Sequence, residues 1–378
     1  MMRRAIVLLS LLAAFVLFPM MVFAEQRTFT YTVSDDMTAE KAADELEKAL
    51  PDELGDFKSN ALDSLRNGGV ELDGNSIAIR LYNAVREELA APVKLFFTLL
   101  ALVICASVFS ALSNAVKGNG VRAAFSLCSS LCFCGSVCVP LLRIVERSGE
   151  YLHWLASFIT ALLPVFSSLY VAGGSVAGAA YASSGAYMLT ALIEEVFAEL
   201  LLPVCRLILA IAVTSSVSPL ELSGIVKVLK DLFATALTFL MMLNSAVYTL
   251  GNHIAAAKDG VAMRTVRFAA GSFIPVVGGA VGEAMRTVAG SLSVIRAGVG
   301  WVCCAAVIII LLPPIVSVLL YRTAIEFASA AARLCSLSNE AKLLDGAATV
   351  CNLLAALMAA SAVLFVLSVT IFIKTAVV

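Results

Sequence analysis

Hydrophobic positions in this chain fall mostly into long unbroken runs, with few alternating or one-sided patterns. Runs at about 93–116, 121–145, 151–172, 186–217, 232–251, 300–320 and 346–373 each supply the roughly 20 apolar residues a helix needs to cross a bilayer. They predict an all-α fold in which 92–378 is a polytopic transmembrane domain with about seven helices. The number is six to eight, depending on 186–217. That run carries Glu194, Glu195, Glu199 and Arg206 and is interrupted at Pro203, so it is either one kinked helix or an interfacial helix followed by a short span.

Ahead of the runs lie shorter, amphipathic stretches. Residues 38–50, 54–66 and 75–90 read as three short helices, with Thr38 able to cap the first and Pro51 ending it. Gly68-Gly69 and Gly74-Asn75 punctuate the remainder. At the very start, Met1-Met2-Arg3-Arg4, the apolar run Ala5 to Phe23 and the small-residue site Val22-Phe23-Ala24 form the pattern of a signal peptide over 1–24. An uncleaved first helix is the other reading, and either one places Glu25 outside the cytoplasm. Residues 25–91 are thus an exported, helical region.

Composition narrows the class further. The chain is 61% hydrophobic and 14% charged, with a mean hydropathy of +0.96, whereas soluble domains carry about 25% charged residues. Charge is also unevenly placed. Residues 25–90 hold 15 acidic and 7 basic side chains, against 12 and 17 in the residues that follow. Anionic headgroups repel such an acidic segment, so it should face water or a partner protein. Nothing here resembles a nucleic-acid footprint. Loops placed inside carry every basic excess, and those placed outside are balanced. That asymmetry predicts an extracytoplasmic N-terminal region and a cytoplasmic C-terminus.

Candidate chemistry is sparse. None of the ten cysteines falls in 25–90, so no disulfide framework is expected there. The run Cys128, Cys132, Cys134, Cys138 has metal-like density but apolar neighbours and no nearby His. Small cysteines buried in a bundle account for it better, and no metal or cofactor is expected. There is no P-loop, nucleophile elbow, zinc spacing or dinucleotide fingerprint, which argues against an enzyme.

The most informative stretch is 269–300, an apolar segment broken by Pro275, Gly278 and Gly279 and carrying Glu283, Arg286 and Arg296. Broken backbone at membrane depth is tolerated only where protein or a wet cavity satisfies the freed peptide groups. Glu283 and Arg286, three apart, share a helical face and can neutralise each other. Alternatively, 279–297 lies on the surface or dips in as a re-entrant helix with Val281, Met285, Val288, Leu292 and Ile295 as its apolar face. Either way, 252–299 reads as a cytoplasmic loop or re-entrant segment. Within it, the cations Lys258, Arg264 and Arg267 anchor the end of the fifth span, or Arg264 and Arg267 grip an acidic partner or orient the broken segment, with Asp259 pairing with either arginine or capping the helix after Gly260. Glu195, Glu199 and Arg206 can share another face, lining a pore or merely reaching the interface. A faint repeat pairs Pro164 with Pro275 and Pro203 with Pro314, each 111 residues apart. Broken segments at matching places in two halves point to a transport site.

The run Lys258-Asp259-Gly260-Val261-Ala262-Met263-Arg264-Thr265-Val266-Arg267, followed by Ser272-Phe273-Ile274-Pro275-Val276-Val277-Gly278-Gly279, resembles the signature of the stage III sporulation protein AE family. Leu50 to Leu54 with Gly68-Gly69, Leu163-Pro164 with Gly173-Gly174, and Leu312-Pro313-Pro314 extend the similarity over most of the chain. The resemblance implies a multi-pass protein of the mother-cell membrane facing the forespore. It would be a gate or scaffold of the channel that joins the two cells after engulfment, working with a secretion-type ATPase, ring-forming membrane proteins and the lipid bilayer. The alternative is a small-molecule permease with its site between broken helices near Pro164 and Pro275.

Overall fold

A computed structural model describes residues 36–51, 54–66, 74–115, 119–172, 185–217, 222–273 and 278–374. Between 252 and 296 it describes the backbone but, Ile295 apart, no side chains, and 274–277 lie outside it. Every element among the described residues is helical. They are α1 (Asp36–Ala49), α2 (Asp56–Arg66), α3 (Gly74–Ala115), α4 (Asn119–Ala172), α5 (Tyr187–Val196), a π turn (Phe197–Leu201), α6 (Leu202–Val217), α7 (Ser223–Phe273), α8 (Gly278–Leu334) and α9 (Ser338–Lys374).

Five stretches of these helices are long and apolar enough to cross a membrane: Leu81–Leu112, Ala124–Ala172, Tyr187–Val217, Ala297–Leu334 and Ser338–Thr370. The chain is a multi-pass membrane protein. Seven spans were expected, and two differences account for the gap. The runs 121–145 and 151–172 belong to one continuous helix: Arg143 to Glu150, read as a loop, stays helical, and Arg147 within it pairs with Glu88 of α3. The run 232–251 lies within α7 and is not among the five. At 1.5 Å per residue the 49-residue stretch of α4 measures roughly 74 Å, more than twice the ~30 Å hydrocarbon core. One crossing therefore leaves more than half of α4 outside the lipid.

Other boundaries shift for similar reasons. The short helix expected at 75–90 does not end; it runs through Pro92 into the first span as the 42-residue α3. The separate surface helix expected at 279–297 is the opening of the 57-residue α8. Its apolar positions 281, 285, 288, 292 and 295 continue in phase through Val299, Val302 and Ala306, which are fully buried. An uninterrupted stripe gives the helix no reason to stop. Pro164 likewise breaks nothing, lying exposed inside α4.

The first two N-terminal helices form a hairpin. Ala43, Leu46 and Leu50 face Leu54, Phe57, Ala61 and Leu65, and all are buried. Gly55 turns the chain with φ +47°, and Lys58 Nζ donates to the Leu50 carbonyl at 2.8 Å. Arg66 reaches back to Asp44 (2.8 Å) and Glu47 (2.9 Å). The hydrogen bond it donates to Asp44, aided by the one to Glu47, holds the guanidinium above its ordinary value. Exposed pairs contribute at most about 1 kcal/mol, so the apolar seam is what closes the hairpin. It docks on α4, with a cleft of about 500 Å³ between Glu47, Leu50, Lys58 and Trp154, Ser157, Phe158.

At the other end, α8 and α9 form a long antiparallel pair. α8 stops at a left-handed Ser336 (φ 61°), and Leu337 N–H closes onto the Ala332 carbonyl at 2.9 Å. This satisfies the last turn's carbonyls. Arg333 pairs with Asp345 across the turn, and Ser329 donates to the same carboxylate at 2.6 Å.

Candidate functional site

Charged side chains meet midway along α4. Glu88 of α3, 18% exposed, pairs with Arg147 at 2.8 Å, and Tyr321 of α8 lies close to Glu88, Arg143 and Arg147. The next residue, Arg322, is paired with Glu326 at 2.9 Å. On the α5 side, His153 approaches Glu195 (3.2 Å) through Nδ1 and Glu199 (3.5 Å) through Nε2. The waist so formed joins α4 to α3 through Arg147 and to α5 through His153. Above and below it α4 differs in character: Phe125, Leu127, Leu131, Val139 and Leu142 are exposed on one side, and His153, Ser157, Thr160 and Ser168 on the other.

The π turn Phe197–Leu201 explains how one helix presents both faces of this region. Pro203 cannot donate to the carbonyl of Glu199, and a wider turn just before it absorbs the missing bond. Of the two expected forms, one continuous helix over this run is found, carrying a π turn ahead of Pro203. Its acidic residues divide, however: Glu195 and Glu199 face outward toward His153, whereas Glu194 is 0% exposed. The three outward ligand-type atoms lie within 4.8 Å of one another, a spacing that one divalent cation could bridge. Arg206 is exposed and has no ion pair among those described, so the Glu199–Arg206 partnership is absent.

Inside the bundle a second polar group runs along α5. Thr190 lies 2.9 Å from Asn244 Oδ1 and 3.0 Å from the Tyr248 hydroxyl, both from α7 and both buried. With one proton to give, Thr190 donates to Asn244 and accepts from Tyr248. One turn below, the Tyr187 hydroxyl donates to the Ser368 carbonyl of α9 at 3.4 Å. One turn above is Glu194, with the Ser361 hydroxyl facing it. Thr190→Val keeps the shape and removes the hydroxyl, so it is expected to cost about 1 kcal/mol. Thermal unfolding in detergent, beside Thr214→Val on an exposed position, measures it; equal small losses would deny the triad a role.

A family model for stage III sporulation protein AE matches residues 56–376. The chain belongs to that family. Stage III sporulation protein AE of Bacillus subtilis (strain 168) is 22% identical over 313 residues, which cover 78% of this chain and 77% of the relative. No solved structure matches the chain. The family match begins on the first residue of α2 and takes in all later helices, so the waist and the interior polar row both lie inside it.

Of the residues singled out in sequence, Asp259, Arg264 and Arg267 lie on the backbone of α7, and Gly278 and Gly279 open α8. Glu283 and Arg286 follow within its first three turns. The side chains of these charged residues, and Pro275 altogether, fall outside the described residues. The expected 252–299 loop is therefore helical wherever it is described, with α7 and α8 separated only by 274–277. The Cys-rich run is less interior than expected: Cys128 and Cys132 are exposed, and Cys134 and Cys138 are half-buried with sulfurs 3.6 Å apart. Their i, i+4 spacing along α4 points them at its outer side. Thr190, Asn244, Tyr248 and Ser361 gave no sequence signal, since they come from three helices and stand singly among apolar residues.

Proposed function

We propose that this protein is an integral-membrane gate or scaffold component of the channel between mother cell and forespore that endospore development needs after engulfment. The observation that carries the reading is membership of the stage III sporulation protein AE family over 56–376. The fold supports it: five span-length helices, and an acidic hairpin held against α4 beyond the charged waist. In this reading the hairpin belongs to an exported region 25–91 that follows a signal peptide. The α7–α8 region with Asp259, Arg264 and Arg267 faces the cytoplasm and a secretion-type ATPase, and ring-forming membrane proteins complete the assembly. The protein has a structural and transport role without chemistry of its own. A permease with substrate between broken helices is the weaker reading, because α4 passes through Pro164 without a break.

Deleting the gene in its own host and following sporulation with membrane dyes tests the assignment. Arrest after engulfment, with a small or collapsing forespore, is expected, along with full rescue by the intact gene. A chain lacking 36–66 should insert into the membrane yet fail to rescue or to recover partner proteins. Normal spores from the deletion strain would remove the assignment.

A further inference from the structure

Glu194 has no counterpart for its charge. It is 0% exposed, and the Ser361 hydroxyl on α9 is the polar group that faces its carboxyl, without closing to an ordinary hydrogen-bond geometry. A bare carboxylate removed from water without a partner is too costly to persist, and such a group neutralises instead. Among the described residues, the groups packed around it offer no cation. From α7 come Asn244 and the Tyr248 hydroxyl, engaged with Thr190 a turn away, although the Asn244 amide nitrogen is unpartnered. From α4 comes His153, bonded outward to Glu195. On the helix itself, Glu195 and Glu199 are acidic and exposed.

The backbone beside Glu194 is also unusual. The π turn begins three residues later and widens the helix where the buried carboxyl and the outward His153–Glu195–Glu199 group back onto each other. A π turn inside an α-helix frequently marks a functional position. We propose that Glu194 is a proton-binding site in the interior of the bundle, loaded in the packed form seen here and unloaded through the adjacent π turn. In the loaded form the neutral carboxyl sits against Ser361. Loss of the proton to water leaves a carboxylate that the interior cannot hold, so α5 must shift to hydrate it. The site thereby couples proton release to movement of α5 against α9. It goes beyond the channel role and does not depend on it.

An apolar carbodiimide tests this directly on the full chain in liposomes. The carboxyl proton passes to one carbodiimide nitrogen while the carboxylate oxygen adds to the central carbon. Migration of the acyl group to nitrogen then leaves a stable N-acylurea with nothing lost. Mass spectrometry of peptides should find the adduct on Glu194, strongest at mildly acidic pH and falling several-fold in alkaline buffer. A water-soluble carbodiimide should mark Glu195 and Glu199 instead. Glu194→Gln should lose the interior adduct, and location of the adduct by peptide sequencing in the unaltered chain stands even if that variant folds poorly. An unmarked Glu194 in the folded chain, with marking restored on denaturation, would overturn the proposal. So would marking independent of pH, or protection by sodium ions, which would put a metal cation where the proton is assigned.

Discussion

Gly346→Ala is expected to unseat α9 from α6. A Cβ built on Gly346 would stand 2.2 Å from the Cβ of Ala212 and 3.4 Å from its Cα. No rotamer can relieve that contact, because both atoms are fixed to backbone, so the two helices must move apart. Overpacking of this kind costs about 1–3 kcal/mol or more. The loss falls on a pair of helices whose close approach depends on small residues. Cys205 and Cys351 are buried near each other in the same interface and serve as native reporters. Thermal unfolding should drop and maleimide should reach both thiols faster in Gly346→Ala. Ala212→Gly, added to it, should restore both readouts, since it removes the opposing methyl group. A single variant as stable as the parent, or a double variant no better than the single, would show that the helices do not meet at that distance.

Phe372→Ala should be the most destabilising single truncation of an aromatic ring. Phe372 is 0% exposed near the end of α9, with its ring 4.1 Å from Phe166 and 5.4 Å from Tyr170, both on α4. Phe166 in turn meets Tyr187 of α5 at 4.9 Å, and Tyr187 meets Tyr248 of α7 at 5.6 Å. One ring therefore anchors a chain of contacts across four helices. Replacing a buried Phe by Ala costs about 3–5 kcal/mol through lost burial and the cavity left behind. Phe327→Ala is the matched control: its ring is 67% exposed and packs edge-on against Phe96 alone among the rings described. A large gap between the two variants in thermal unfolding is expected. Similar losses would mean that the aromatic column does not hold α9 in place.

How far the sequence could be read depended on the range of the interactions. The hairpin α1–α2 was legible within two or three residues at each end, because Pro51 and the apolar spacing act locally, although Thr38, expected to cap α1, lies inside it. The helical, membrane-crossing character of 92–378 was legible for the same reason. Where one span ended and the next began was not. Arg143 to Glu150 looks like a polar connection until Glu88 of α3 is found beside Arg147. The division of the acidic residues in 186–217 was also hidden. Helical spacing put Glu195, Glu199 and Arg206 on one face, and all three are exposed, but among the described residues the glutamates meet His153 and neither pairs with Arg206.

By itself the sequence determined the class of the molecule, its acidic N-terminal helices, its lipid-compatible runs and the family it resembles. Each of these follows from composition, local periodicity or a contiguous motif. Only the tertiary structure decided that Glu194 is interior while its neighbour Glu195 is exposed, and that Thr190 meets Asn244 and Tyr248. It alone showed that α4 is a single helix longer than a bilayer is thick. Those facts depend on which helices pack together and at what height. Pairings between residues tens or hundreds of positions apart leave no trace in the spacing of any one segment.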